Sequence, residues 1–285
     1  MTLNFNFIRR AAVTLLATVL VPLSAQPTAA ENHSALNNLN SNSKVISTVA
    51  TGFDSPWAMA FLPNGDILVT ERAGKIRVVR DGIILPQTLA DVPAVYHAGQ
   101  GGVLDIHLDQ NFADNNTLYL SYAYGTEDAN ATRLMSAQLK NGALINQRIL
   151  FTGSPMRSTA HHFAGRIGQL MDGSLLLTVG DGFNYREHAQ RLDSHLGKII
   201  RIDQQGLAPA DNPFINIANA KPEIWSLGHR NHQGLVVIDD RVFSNEHGAK
   251  GGDEINLIKP SLNYGWPVIT RGIDYNGARI SPYTE

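Results

Sequence analysis

From about residue 45 onward the chain alternates short apolar runs with turns rich in glycine, asparagine and aspartate. "GDILVTER" and "GKIRVVRDG" flank a turn at Ala73-Gly74, and "NTLYLSYAYG", "ATRLMSAQLKNG", "GSLLLTVGDG", "GKIIRIDQQG" and "DRVFSNEHG" follow. Runs of this length, bounded by residues that accept positive φ, predict β-strands. No comparable stretch keeps an i, i+3, i+4, i+7 pattern, so parallel βαβ architectures are disfavoured and the fold class is all-β. A strand–turn–strand unit recurs in "WAMAFLPNGDILVTER", "GVLDIHLDQNFADNNTLYLSY", "GRIGQLMDGSLLLTVGD" and "GLVVIDDRVFSNEHG", with its turns at Gly65, Asn116, Gly173 and Asp240. That spacing suits a four-stranded propeller blade with its loops, whereas a β-sandwich would not repeat the unit so far along a chain. Residues 46–285 are expected to hold four to five blades. A closed six-bladed ring needs more chain, and "SPYTE" brings no closing strand.

The first 30 residues break the pattern. Arg9 and Arg10 precede an apolar run from Ala11 to Leu23, and small residues follow at Ala25, Ala29 and Ala30. This is the anatomy of a secretory signal peptide. The apolar run is shorter than a comfortable span and is interrupted by Pro22, so no stable membrane insertion is expected after cleavage. Residues 31–45 are polar and read as a flexible leader. The mature protein is therefore expected in the periplasm or outside the cell.

Composition narrows the chemistry. A net charge of -2 with no basic run argues against nucleic acid. The absence of cysteine excludes disulfides, iron–sulfur clusters and thiol nucleophiles. No Gly-x-Gly-x-x-Gly follows a strand, and neither a phosphate loop nor a Gly-x-Ser-x-Gly elbow occurs. His247 beside Glu246 invites zinc, but no His-Glu-x-x-His or comparable spacing appears, and strand neighbours point to opposite faces. The segment from Ser244 to Pro267 carries Gly248, Gly251 and Gly252 beside Asp253 and Glu254. Glycines let backbone carbonyls approach a ligand and the acids add hard oxygen donors, which suits calcium; an ordinary surface loop between two strands reads the same way.

Five motifs, "GFDSPWAMAFLPNGDILVTERAGKIRVV", "HAGQGGVLDIHL", "HHFAGRIGQLMDGSLLLTVGDG", "IWSLGHRNHQGL" and "NEHGAKGGDEINLIKPSLNYGWPVITRGIDYNG", stand in an order and spacing that resembles the soluble pyrroloquinoline-quinone (PQQ)-dependent sugar dehydrogenases, the aldose sugar dehydrogenase branch above all. The resemblance implies a six-bladed β-propeller with the quinone on its top face, an aldose substrate oxidised at C1 to a lactone, and an external electron acceptor. It implies His162 as general base, since a neutral imidazole titrates in the useful range. It implies Arg230 for the negative charge that builds during hydride transfer. Gln100, His161, Arg230, Asn231, His247 and Gly248 are the implied cofactor-binding residues. The carbonyls of Gly248 and Ala249 are implied as ligands of a calcium ion, with Glu254, Tyr264 and Asp274 at a second one. Ala249 replaces a proline common in relatives, at a cost in loop stiffness rather than in a donor. Relatives that oxidise glucose carry an aspartate where this chain has His161, which leaves the partner that orients His162 unassigned. His232, where relatives often have proline, has no implied role. Two other readings use the same fold: a calcium-dependent propeller lactonase, and a non-catalytic propeller that binds carbohydrate or protein.

Overall fold

The computed structural model describes residues 2–5 and 46–284. Apart from Thr2–Phe5, the segments read as signal peptide and polar leader lie outside the described residues. The chain divides into two units, residues 1–52 and 53–285. In the first, strand β1 (Thr2–Phe5) pairs antiparallel with β2 (Ser47–Thr51).

The second unit is built of antiparallel sheets in sequence order, each a propeller blade. Blade A comprises β3 (Pro56–Phe61), β4 (Ile67–Glu71), β5 (Lys75–Arg80) and β6 (Ile83–Thr88). Blade B comprises β7 (Val103–Leu108), β8 (Thr117–Gly125), β9 (Asn130–Lys140) and β10 (Ala143–Thr152), with a one-turn helix α1 (Phe112–Asn115) between its first two strands. Blade C comprises β11 (Ala164–Gln169), β12 (Leu175–Val179), β13 (Lys198–Ile202) and β14 (Ile224–Leu227). Blade D has three strands among the described residues, β15 (His232–Ile238), β16 (Arg241–Glu246) and β17 (Glu254–Ile258). The first strands β3, β7, β11 and β15 are neighbours in that order.

The four turns that marked the repeat fall at equivalent places, between the first and second strand of each blade. All of them adopt positive φ: Gly65 91°, Asn116 53°, Gly173 86° and Asp240 58°. Glycine and the short polar side chains visit that region at least cost, which is why the turns were visible in the sequence.

Blades pack face to face, so their middle strands are buried on both sides and read as continuous apolar runs rather than alternating ones. Along β12, Leu175, Leu177 and Val179 join Leu134, Leu150 and Phe151 of blade B, while Leu176 faces Trp225, Val242 and Ile258. Blades A and B meet through Leu68, Ile76, Ile106, Leu118 and Leu120. Burying such a side chain fully contributes about 1.5–3 kcal/mol. Among the described residues no helix is long and apolar enough to cross a membrane.

Candidate active site

One strand geometry assembles the site in two consecutive blades. In blade C, Ala164 on β11 pairs with Val179 on β12. Continuing two residues outward along both strands brings His162 opposite Asp181, and His162 Nδ1 lies 2.7 Å from Asp181 Oδ1. In blade D, His232 pairs with Glu246. Two residues outward, the Arg230 guanidinium donates from Nη1 to the carbonyl of Gly248 at 2.7 Å and to that of His247 at 3.0 Å. Both pairs project from the same end of their hairpins, and they meet through the backbone, where Asp181 N–H donates to the Arg230 carbonyl at 2.8 Å.

His162 is 4% exposed and its backbone lies in the left-handed region at φ 54°. That conformation is costly for a residue with a Cβ and persists only where the surroundings fix it. Gln100 Oε1 accepts the His162 backbone N–H at 2.7 Å. Gly180 makes room for the same backbone, since a Cβ there would sit 2.0 Å from the His162 carbonyl oxygen. Asp181 is fully buried and its carboxylate also accepts from Trp266 Nε1 at 2.7 Å and from the Phe183 backbone N–H at 2.8 Å. Two donors besides the histidine hold the carboxylate as an acceptor, which places the imidazole proton on Nδ1 and leaves Nε2 as the basic nitrogen. Burial pushes the His162 proton affinity down; Asp181 raises it and Arg230 and Arg157 lower it. The imidazole is thus neutral at physiological pH and ready to accept a proton.

His162 and Arg230 line one cavity of about 270 Å³ together with Phe183, Trp266, Asp274 and Tyr275. Arg230 Nη2 donates to Tyr275 Oη at 3.2 Å, its guanidinium lies over the Trp266 ring, and its Nε is buried without a partner. A second cavity of about 180 Å³ is lined by Gln100, Asn231 and His247 with Trp57 and Arg72. The Asn231 side-chain oxygen is buried and unpartnered. His161 is exposed and its ring lies 5.6 Å from Phe183, at the edge of the first cavity.

The glycine loop between β16 and β17 folds tightly: Gly248 N–H donates to Asp253 Oδ1 at 2.9 Å, and a Cβ on Gly248 would meet the Gly251 carbonyl oxygen at 2.2 Å. Close backbone approach is what the glycines permit here. The carbonyls of His247 and Gly248 converge on a cation, the Arg230 guanidinium, and the Ala249 carbonyl accepts from Ile273 N–H at 2.9 Å. Asp274 Oδ2 pairs with Arg186 at 3.1 Å in the first cavity. Glu254 is occupied differently: its Oε2 accepts from Asn256 at 3.0 Å, and burial raises its proton affinity. Tyr264 stacks on His229 at 4.8 Å and its hydroxyl donates to the Leu257 carbonyl.

Sequence reasoning missed Asp181, Trp266 and Arg157. Asp181 stood in the quoted "TVGDG", two residues past a buried strand, and the hairpin register was the signal that could have found it.

The comparisons agree with this geometry. Residues 53–285 match the family model described as Glucose / Sorbosone dehydrogenase. The aldose sugar dehydrogenase YliI of Escherichia coli is 41% identical over 233 residues, 80% of this chain and 62% of the relative. A crystal structure of a glucose dehydrogenase superposes with a TM-score of 0.79 at 37% identity, covering 82% of this chain and 69% of that one. The PQQ-bound aldose sugar dehydrogenase of Streptomyces coelicolor gives a TM-score of 0.66 at 34% identity, covering 78% and 65%. The chain thus spans a little under two thirds of the curated relatives' length. The family match covers residues 53–285 and the solved relatives share the bladed fold, so the chain belongs to the glucose/sorbosone dehydrogenase family.

Proposed function

We propose that this chain carries the base and the arginine of a quinoprotein site that oxidises the C1 hydroxyl of an aldose to a lactone, in the periplasm or outside the cell. The observation that carries the reading is the His162–Asp181 pair opening onto the cavity it shares with Arg230. Fit to an anionic, ring-shaped cofactor and a hard cation is supported by three features: the buried, unpartnered Arg230 Nε and Asn231 oxygen, the aromatic walls Phe183 and Trp266, and carbonyls of His247 and Gly248 already converging on positive charge.

Arg230, Asn231, Gln100 and His247 would hold PQQ, with Gly248 and Ala249 offering carbonyl oxygens to calcium and Glu254, Tyr264 and Asp274 assigned to a second calcium. Bound there, the quinone supplies an acceptor for the two electrons that leave C1 as hydride, polarised by the metal. His162 Nε2 takes the hydroxyl proton, so the oxygen can form its double bond to C1 as the hydride departs. Asp181 keeps the imidazole in the tautomer this needs and stabilises the imidazolium that results. Arg230, positively charged throughout, stabilises negative charge that develops during transfer, where electrostatic stabilisation accelerates a reaction. An external acceptor would take up the electrons.

Reconstitution tests the reading: protein supplied with PQQ and Ca²⁺ is expected to reduce an artificial dye when given aldoses, and His162→Ala to slow the reaction at least about 100-fold. A folded, quinone-loaded sample that leaves the dye untouched with every simple aldose overturns it.

A further inference from the structure

Close to Arg230 in the chain, three buried side chains converge that the reaction above does not use. His229 and His232 bracket Arg230 and Asn231 in the chain. His232 opens β15 and faces Glu246, the last residue of β16, across the strand pair. His229 packs from the preceding turn with its ring 4.4 Å from that of His232. His229 and His232 are fully buried and Glu246 is 7% exposed. One donor atom from each lies within 4.8 Å of the others.

The hydrogen bonds at this cluster are incomplete in a specific way. His229 Nε2 lies 2.9 Å from Ser226 Oγ, and its Nδ1 lies 3.0 Å from Glu246 Oε1. Glu246 Oε2 accepts the Arg230 backbone N–H at 2.5 Å, which anchors one carboxylate oxygen and leaves the other turned toward the histidines. Neither ring nitrogen of His232 has any hydrogen-bond partner. Buried polar atoms are nearly always satisfied, and an imidazole orphaned at both nitrogens is an unexplained group that points to something absent. Two imidazoles and one carboxylate form a donor set that late first-row ions favour, whereas calcium takes oxygen.

We propose that His229, His232 and Glu246 form a binding site for one zinc-type divalent ion, separate from the oxygen-lined glycine loop. Donors on a tetrahedral ion at zinc distances sit about 3.4 Å apart, so from a spread within 4.8 Å the widest pair closes by at most about 1.4 Å on binding. With Nε2–H donating to Ser226, His229 presents the Nδ1 lone pair to the ion, the kind of outer partner that fixes a ligand tautomer. Three protein donors leave a fourth position for a small ligand such as water. Because the two histidines flank Arg230 and Glu246 holds its backbone N–H, the ion would fix the segment that presents the arginine. The sequence invites zinc at Glu246 with its neighbour His247, but the structure sets Glu246 against His229 and His232, which come from a loop and a paired strand. The site stands independently of the quinone reading.

Untagged protein stripped of metal and titrated with Co²⁺ tests the proposal without any assay of turnover. Expected are one equivalent bound, the visible absorption of four-coordinate cobalt, displacement by Zn²⁺ and indifference to excess Ca²⁺. His232→Ala is expected to weaken binding by at least about 100-fold, since losing a ligand should exceed the 10–100-fold loss typical of an outer partner. Wild-type protein provides a second measurement that needs no variant: Zn²⁺ is expected to raise its unfolding temperature. Equal Co²⁺ affinity in His232→Ala, a six-coordinate spectrum, effective competition by Ca²⁺, or an unfolding temperature that ignores Zn²⁺ overturns the proposal.

Discussion

Blades C and D each bury a histidine against a carboxylate, and the two pairs serve different ends. His162 Nδ1 lies 2.7 Å from Asp181 and His229 Nδ1 lies 3.0 Å from Glu246. Asp181 receives two further hydrogen bonds, from Trp266 and Phe183. Burial instead pushes Glu246 up, toward the neutral acid. His162 borders a cavity, whereas the second nitrogen of His229 is held by Ser226 in a closed interior. Similar pairings thus conceal unequal chemistry: an imidazole can exchange protons with a substrate only where its free nitrogen reaches open space.

The sharpest way to break this comparison is to exchange the histidines one at a time in reconstituted protein. His162→Ala is expected to lower kcat by about 10²–10⁴-fold, the usual worth of a general base, with its main effect on kcat rather than on the unfolding midpoint. His229→Gln is expected to do the reverse, lowering the midpoint while kcat stays within severalfold. Comparable losses of kcat in both variants would erase the distinction.

Asp181→Asn comes next, with an expected loss of about 100-fold from a misplaced imidazole proton. The pH profile separates this from misfolding. His162 is held below the ordinary histidine value by burial, so the acid limb of kcat/KM should fall below about pH 6.5. Asp181 is the group that raises it, so its removal is expected to move that limb to still lower pH.

Acid unfolding sharpens the comparison at a smaller scale. The proton affinities of both histidines are lowered in the folded chain, His229 to about 3. Such a group contributes stability that is complete above its unfolded value near 6.5 and is lost as pH falls, because the unfolded chain binds the proton first. For His229 the loss between about pH 6.5 and 3 is up to about 1.4 kcal/mol for each pH unit. Denaturant midpoints at pH 7.5 and 5 are expected to differ, and the gap to shrink in His229→Gln. The smallest effect is expected from Tyr275→Phe, which removes one acceptor from Arg230 at a half-open position: a change in KM within about threefold, read from steady-state kinetics.

Much of the fold was legible because its turns have a chemical requirement. Gly65, Asn116, Gly173 and Asp240 announce positive φ, and the apolar runs between them announce strands. The expectation of four to five blades resolves to four among the described residues. After β17 the chain adds isolated bridges such as Leu227 with Asn263 and Ile269 with Tyr283, and no pattern in the sequence distinguished these from a strand. His162 and Arg230 were legible through the motifs that hold them and share one cavity, but Gln100, Asn231 and His247 line a second. Asp181 and His232 were not, because their importance lies in what stands opposite them across a hairpin, and pairing partners are not written along a single strand.

Strand direction has a further use. Because the chain enters each blade beside the cavities and turns back at the other end, the opposite rim includes two-residue reversals such as Asp81-Gly82 and Asn141-Gly142, with open space around Gly65 and Gly142. A peptide grafted into the Asn141-Gly142 reversal would emerge from that rim. Tethered to an electrode through such a graft, every molecule would present its His162 and Arg230 mouth outward, toward dissolved sugar.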